Sequence, residues 1–197
     1  MQRRRQRAPW AARVVALRLW CLTTLLGLAA CRQDEPRAHP VIGNMGNESY
    51  WSDGEIPYKN GLGKSVRLDQ FEGYFVWLDC SAPWCGPCQR QAPVLRKLER
   101  PFAEDVVFLT LLTSDYEPNV VATAGTARTW ADHYKLDPAA VLASRSQCGV
   151  VPQHTLFSPF GQTLYHQVGY HTEAQIRATL AAKMAAWNRW YEHDYRP

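Results

Sequence analysis

Acid is absent from residues 1–30, which hold six arginines (Arg3, Arg4, Arg5, Arg7, Arg13, Arg18) and neither Asp nor Glu. The formal charge of +4 therefore misleads, because removing these six leaves −2 on the rest of the chain. A near-neutral body gives no reason to expect nucleic acid as a partner. A long apolar run is missing as well. Leu19 to Ala30 is twelve residues, broken by Cys21, Thr23, Thr24 and Gly27. Crossing a bilayer takes roughly 20. There is no internal repeat or low-complexity tract, and Pro and Gly are too few for a disordered chain. What is present is a length of 197 residues, enough for one domain with extensions, and a 46% hydrophobic share that can supply a core.

A basic stretch followed by a short apolar run has the layout of an export signal. Its end, Leu28-Ala29-Ala30-Cys31, resembles the lipobox of bacterial lipoproteins, in which the Cys becomes the acylated first residue. The resemblance implies lipidation at Cys31 and a membrane anchor in the periplasm. Arg32 follows where sorting to the inner membrane would place Asp, which leans toward the outer membrane. The expected organisation is a lipoprotein signal peptide over 1–30, a polar tether over 31–49, a folded domain over 50–191 and a tail over 192–197. Residues up to about 64 are rich in turn formers (Gly43-Asn44, Asp53-Gly54, Asn60-Gly61, Gly63) and read as an irregular lead-in, with Tyr50, Trp51 and Tyr58 available for packing.

The folded part alternates. Phe75 to Asp79 is a short apolar strand ending at a cysteine loop. A helix runs from Cys88 to about Arg100, with Val94, Leu95 and Leu98 as its stripe and Pro101 as its stop. Val106 to Leu112 is a continuous apolar run, as in a strand buried on both faces. Thr123 to Tyr134 reads as helix, with short strands at Ala139 to Ala143 and Thr155 to Phe157. Pro159 to Gln162 forms a turn, and Thr163 to Val168 is the return strand of a hairpin. Thr172 caps the last helix, with Gln175 in capping-box spacing and Ile176, Leu180, Met184, Trp187 and Tyr191 along one face. The order β-α-β-α-(β)-β-β-α predicts a sheet parallel in its first half, closed by an antiparallel hairpin.

The chemistry concentrates in Trp84-Cys85-Gly86-Pro87-Cys88. A Cys-x-x-Cys is half a zinc site, a haem attachment or a redox pair. Haem attachment needs His after the second Cys, and Gln89 stands there. A zinc site needs a second pair, and Cys80 and Cys148 are isolated with no His pair near either. A redox pair fits the setting, since Cys85 falls between a strand and a helix. Free N–H groups and the positive end of the helix dipole favour a thiolate there. Cys88 lies one turn on, within reach of a disulfide. Pro87 suits the first turn.

Trp-Cys-Gly-Pro-Cys is the motif of thioredoxins, and the chain resembles that superfamily at further positions. Asp79, six residues before Cys85, matches the buried carboxylate that relays a proton to and from the second Cys. Val151-Pro152 matches the cis-proline loop, and Gly161 and Gly169 match the hairpin turn and the bend before the last helix. Ser65 to Leu68, Gly73 and an insertion near 119–143 look like the membrane-anchored extracytoplasmic branch, TlpA-like proteins and those of cytochrome c maturation. The resemblance implies an α/β thioredoxin-like three-layer sandwich, a central mixed sheet with helices on both faces. It implies a thiol–disulfide oxidoreductase in which Cys85 attacks, Cys88 resolves and Asp79 serves as base. Substrate would be held at Trp84, Gly86, Pro87, Val151 and Pro152. Read without the resemblance, Asp79 is a strand-end carboxylate and Pro152 a turn proline.

Two departures stand out. Gln153 and His154 follow Pro152, where the family carries small or apolar residues; a hydrogen-bonded structural role is expected of His154 ahead of a proton shuttle. Cys80 and Cys148 are left over once Cys85 pairs with Cys88. They read either as a second disulfide or as two small buried hydrophobes. Gly-Pro between the cysteines resembles the reducing members of the family, so the expected function is reduction of protein disulfides. The partners would be protein disulfide substrates and a membrane thiol donor. No cofactor, no metal and a monomeric state are expected. An oxidase or isomerase, or a metal-binding module using the cysteines, are the alternatives.

Overall fold

The computed structural model describes residues 57–143 and 148–195. The leader, Cys31, the tether, Tyr50 and Trp51 lie outside them. The elements are β1 (Tyr58–Asn60), β2 (Ser65–Val66), a 3-10 turn (Leu68–Phe71), β3 (Phe75–Ser81), α1 (Gly86–Glu99), β4 (Val106–Leu112), α2 (Ala124–Tyr134), β5 (Val141–Ala143), β6 (Gln153–Phe157), β7 (Thr163–Val168) and α3 (Glu173–Trp190). A π turn, Tyr191–Tyr195, continues α3 into the expected tail. No described helix is long and apolar enough to cross a membrane.

The strands form one sheet in the order β2-β1-β5-β4-β3-β6-β7. β3, β4 and β5 are parallel, and β6 and β7 close the sheet antiparallel. β3 sits between β4 and β6, and all seven of its residues are buried. It runs two residues beyond the expected Asp79, because Cys80 and Ser81 still pair with β4. β1 and β2 replace the expected irregular lead-in. Asn60 makes their turn: its Oδ1 accepts from the N–H groups of Leu62 and Lys64. Gly61 is needed there, since a Cβ would come within 3.0 Å of the Pro138 carbonyl. Tyr58 is buried, as its aromatic character suggested.

Alternation along β3 and β4 sorts the core into two faces. Phe75 and Trp77 of β3, with Val106 and Phe108 of β4, meet Leu95 and Leu98 of α1 and Ile176, Leu180, Trp187 and Trp190 of α3. Leu112 continues this face into a second cluster with Ala92 of α1 and Ala127, Trp130 and Ala131 of α2. Each large apolar side chain buried here contributes about 1.5–3 kcal/mol. Val76, Leu78, Cys80, Leu109 and Leu111 point the other way, toward Leu68, Phe71 and Cys148. The three-layer sandwich is therefore uneven. All three α-helices lie on one face, and the described helix on the other is the short 3-10 turn. The crossovers explain this. β3 to β4 to β5 steps in one direction across the sheet, so right-handed connections put α1 and α2 on the same side.

Glu99 closes α1 half-buried, and its carboxyl is raised to about 7, first by burial, then by the Asp137 carboxylate, with Arg96 opposing. An acid whose folded pKa lies above its unfolded value stabilises the fold below the unfolded pKa, and that stability is lost as pH rises through the folded one. Glu99→Gln should therefore melt higher than the wild type at about pH 8 and show no advantage near pH 4. Thermal denaturation at the two pH values checks this.

Candidate active site around Cys85 and Cys88

β3 ends at Ser81, and the chain turns through Ala82 to Cys85, whose N–H donates to the Ala82 carbonyl at 3.1 Å. Cys85 is the N-cap of α1, and its Sγ accepts from the Cys88 N–H at 3.2 Å. Helix thus begins at Gly86, two residues before the expected start, because Pro87 fits the first turn and leaves no N–H unpaired. The first turn carries no acidic residue, so nothing there opposes negative charge on sulfur. Cys85 and Cys88 are joined by a disulfide with Cα atoms 5.2 Å apart. Cys85 is 5% exposed and Cys88 fully buried, so an incoming partner reaches Cys85 first. Trp84 is half-exposed beside them, its indole N–H donating to Ser114 Oγ at the end of β4 (2.7 Å).

The loop before β6 comes to the same place. Its Val151–Pro152 peptide bond is cis. Val151 packs against the cluster that contains Cys85 and Cys88. The Pro152 carbonyl accepts from the Gly169 N–H at 2.8 Å. At the front of this loop Cys148 is joined to Cys80, with Cα atoms 6.3 Å apart. Both lie on the sheet face opposite Asp79. Gln153 lies over this bridge, its amide 3.7 Å from Cys80 Sγ.

Asp79 is fully buried on the face that α1 covers, at the end of β3 nearest the motif. Ser81 Oγ donates to its Oδ2 at 3.0 Å. Across the β3–β6 pairing, His154 stands in register with Asp79, equally buried, with Nδ1 3.1 Å from Oδ1. This is an ion-pair contact, not an aligned hydrogen bond. Thr155 points to the other side and meets His166. Beyond His154, the ring of His171 packs edge-on with centroids 4.6 Å apart. Burial holds the His171 imidazole below its ordinary value, and nearby His154 adds to this; the Gly169 carbonyl and Asp79 oppose it. Tyr165 OH lies 2.7 Å from His171 Nε2. Gln91 of α1 clamps the His171 backbone, donating to its carbonyl at 3.1 Å and accepting from its N–H at 2.8 Å.

The structure thus gathers Cys85, Cys88, Asp79, Trp84, Val151 and Pro152 at one end of the sheet. Cys31 falls outside the described residues. Sequence reasoning missed Ser81, Gln91, Tyr165 and His171. Strand parity with Asp79 was a usable signal for Ser81. Gln91 and His171 lie 80 residues apart, and no local pattern links them.

Residues 70–125 match the thioredoxin family model. A segment of 50 residues is 43% identical to the chloroplastic M-type thioredoxin of Zea mays, covering 25% of this chain and 29% of that protein. The match thus spans under a third of the maize protein. Similar solved structures include a putative thiol:disulfide interchange protein DsbE from Chlorobium tepidum (19% identity, TM-score 0.55, 66% of this chain and 92% of that one). Another is the pneumococcal exposed lipoprotein thioredoxin Etrx1 from Streptococcus pneumoniae (19% identity, TM-score 0.52, 64% and 98%). A third is a secreted Mycobacterium tuberculosis disulfide oxidoreductase homologous to E. coli DsbE (16% identity, TM-score 0.53, 64% and 95%). The fold is thioredoxin-like, an α/β arrangement of a mixed sheet packed with helices.

Peptide mapping without reductant should return two cross-linked pairs, Cys80 with Cys148 and Cys85 with Cys88. Alkylatable thiols at 80 and 148 beside a closed 85–88 bond would remove the second bridge.

Proposed function

We propose that this chain is an extracytoplasmic thiol–disulfide oxidoreductase that reduces protein disulfides through Cys85 and Cys88. The observation that carries the reading is the division between the two sulfurs: Cys85 caps a helix and keeps 5% of its surface exposed, while Cys88 is wholly buried behind it, on the side of the sheet that holds Asp79. In the dithiol state, the Cys85 thiolate attacks one sulfur of a substrate disulfide and forms a mixed disulfide; the other substrate sulfur leaves as a thiolate. Cys88 then loses its proton to Asp79 and attacks Cys85 Sγ. The 85–88 bond forms, the mixed disulfide breaks, and the second substrate thiolate leaves. The substrate gains two electrons and the protein loses two. An external dithiol restores the reduced state, and for an exported protein that donor is a membrane thiol carrier.

Trp84, Gly86, Pro87, Val151 and Pro152 form the surface on which substrate backbone would lie. Export and anchoring rest on the leader and the lipobox-like end at Cys31. The lipoprotein thioredoxin and the secreted oxidoreductase among the similar structures support that location. Gly86-Pro87 supports the reducing direction, with a potential near the thioredoxin value of about −270 mV. A measured value near about −120 mV, the range of strong oxidants, would reverse the direction.

Insulin reduction driven by dithiothreitol should be fast with the wild type and absent with Cys85→Ser, whereas Cys88→Ser should accumulate a mixed disulfide. Flat turnover with the wild type would sink the reading. Asp79→Asn should slow resolution by Cys88 by about 10² while leaving attack by Cys85 nearly unchanged. Equal slowing of both steps would remove the base role from Asp79.

A further inference from the structure

His154 was expected to be a structural residue, but its two ring nitrogens constrain the chemistry beside it. Nε2 lies 3.1 Å from the Gly169 carbonyl oxygen. A carbonyl can only accept, so Nε2 carries a hydrogen. His171 Nδ1 approaches the same carbonyl at 2.9 Å, which fills its second lone pair. His154 Nδ1 faces Asp79 Oδ1 at 3.1 Å, and neither atom has another hydrogen-bond partner. Oδ2 is taken by the Ser81 hydroxyl. With Nε2 protonated, a neutral imidazole presents a bare lone pair at Nδ1. A carboxylate presents another. Two such acceptors, both fully buried, repel each other at this distance unless the pair carries a proton. In this oxidised state, with the 85–88 bond closed, the pair therefore holds one proton.

We infer that His154 is a positioning residue which makes Asp79 and itself a single proton-holding unit for Cys88. The inference rests on the oxidoreductase reading above. In the resolving step the Cys88 proton passes to the pair as its sulfur bonds to Cys85 and the substrate thiolate leaves. When an external dithiol reopens the 85–88 bond, the same proton returns to the departing Cys88 sulfur. The proton transfer itself leaves the buried charge unchanged, since the proton moves between a thiol and the pair; the negative charge then departs with the substrate thiolate. Besides Asp79, the ionisable groups facing His154 are His171 before α3 and, behind it, Tyr165 of β7.

The two chemical steps separate in one assay with an aromatic disulfide whose released thiolate is coloured. Attack by Cys85 releases one equivalent, and resolution by Cys88 releases the second. His154→Gln can donate to Asp79 but cannot take up a proton. It should slow the second release at least about tenfold and flatten its pH profile, less than the ~10²–10⁴ of losing a whole general base. The first release should be unchanged. The Asp79→Asn/His154→Gln double variant should be no slower than Asp79→Asn, because the two act together. A second release with wild-type rate and pH profile in a folded His154→Gln would overturn the inference, even if the melting temperature drops. If the wild type gives no first release, the oxidoreductase reading fails instead. Should His154→Gln not fold, NMR of the oxidised wild type decides. The His154 Nδ1 and Asp79 carboxyl signals should titrate with shared midpoints. Separate midpoints would overturn the inference.

Discussion

β6 pairs antiparallel with β3 in the register Asp79↔His154 and Cys80↔Gln153, and the site depends on that register. It sets His154 against Asp79 on one face and Gln153 against Cys80 on the other. It also places Pro152, the residue before β6, level with the end of β3, where the chain turns into the cysteine motif. A slip of one residue would bring Thr155 or Gln153 to Asp79 and reverse every side chain of β6. His154 would then face the apolar cluster of the second face without a partner, at a cost of ~1–3 kcal/mol or more for an unpaired buried group. β7 holds the same register from outside, pairing His154 with Gln167. The Gly169 N–H then closes onto the Pro152 carbonyl.

The different settings of the two cysteines follow from this frame and from the helix that grows out of it. Cys85 accepts from a helix-terminal N–H and lies at the positive end of the dipole, both of which favour the anion without binding a proton. Cys88 is carried inward by one helical turn, to the side of the sheet where the ionisable groups lie. Those groups are themselves fixed by neutral hydrogen-bond partners. Ser81 holds one carboxylate oxygen of Asp79. The Gly169 carbonyl fixes both histidine rings. Gln91 ties α1 to the backbone of His171. A buried polar cluster is costly when half-satisfied, and these partners leave Asp79 Oδ1 and His154 Nδ1 to face each other.

Much of this was legible in the sequence for identifiable reasons. β4 was placed with its observed bounds because a continuous apolar run has no competing period. Thr172 and Gln175 form the capping box their spacing announced. The cysteines, Asp79 and Pro152 were found because short motifs fix their separation along the chain. β1 and β2 were not found. Strands of three and two residues carry no periodicity; they pair with each other, and β1 also pairs with β5, some eighty residues further on. The turn that joins them was visible in Asn60-Gly61, but a turn does not reveal which strand will accept its flank. His154 was legible as a departure, yet its partner on β3 depends on register. His171 and Gln91 depend on packing between elements far apart in the chain.

The second face of the sheet shows what the missing helix layer requires. Among the described residues it is covered by the Leu68–Phe71 turn and by the segment at Cys148, less apolar surface than a full helix brings. The Cys80–Cys148 bridge spans 68 residues of chain on this face. In the loop-entropy account, closing such a loop removes about 4 kcal/mol of freedom from the unfolded chain. That offsets burial of roughly two large side chains. The bridge also anchors the front of the Pro152 loop to β3, one residue from Asp79 and on the opposite face. Alternation along a single strand thus keeps the disulfide and the buried Asp79–His154 pair on opposite faces, so that the bridge can hold the loop without disturbing the pair.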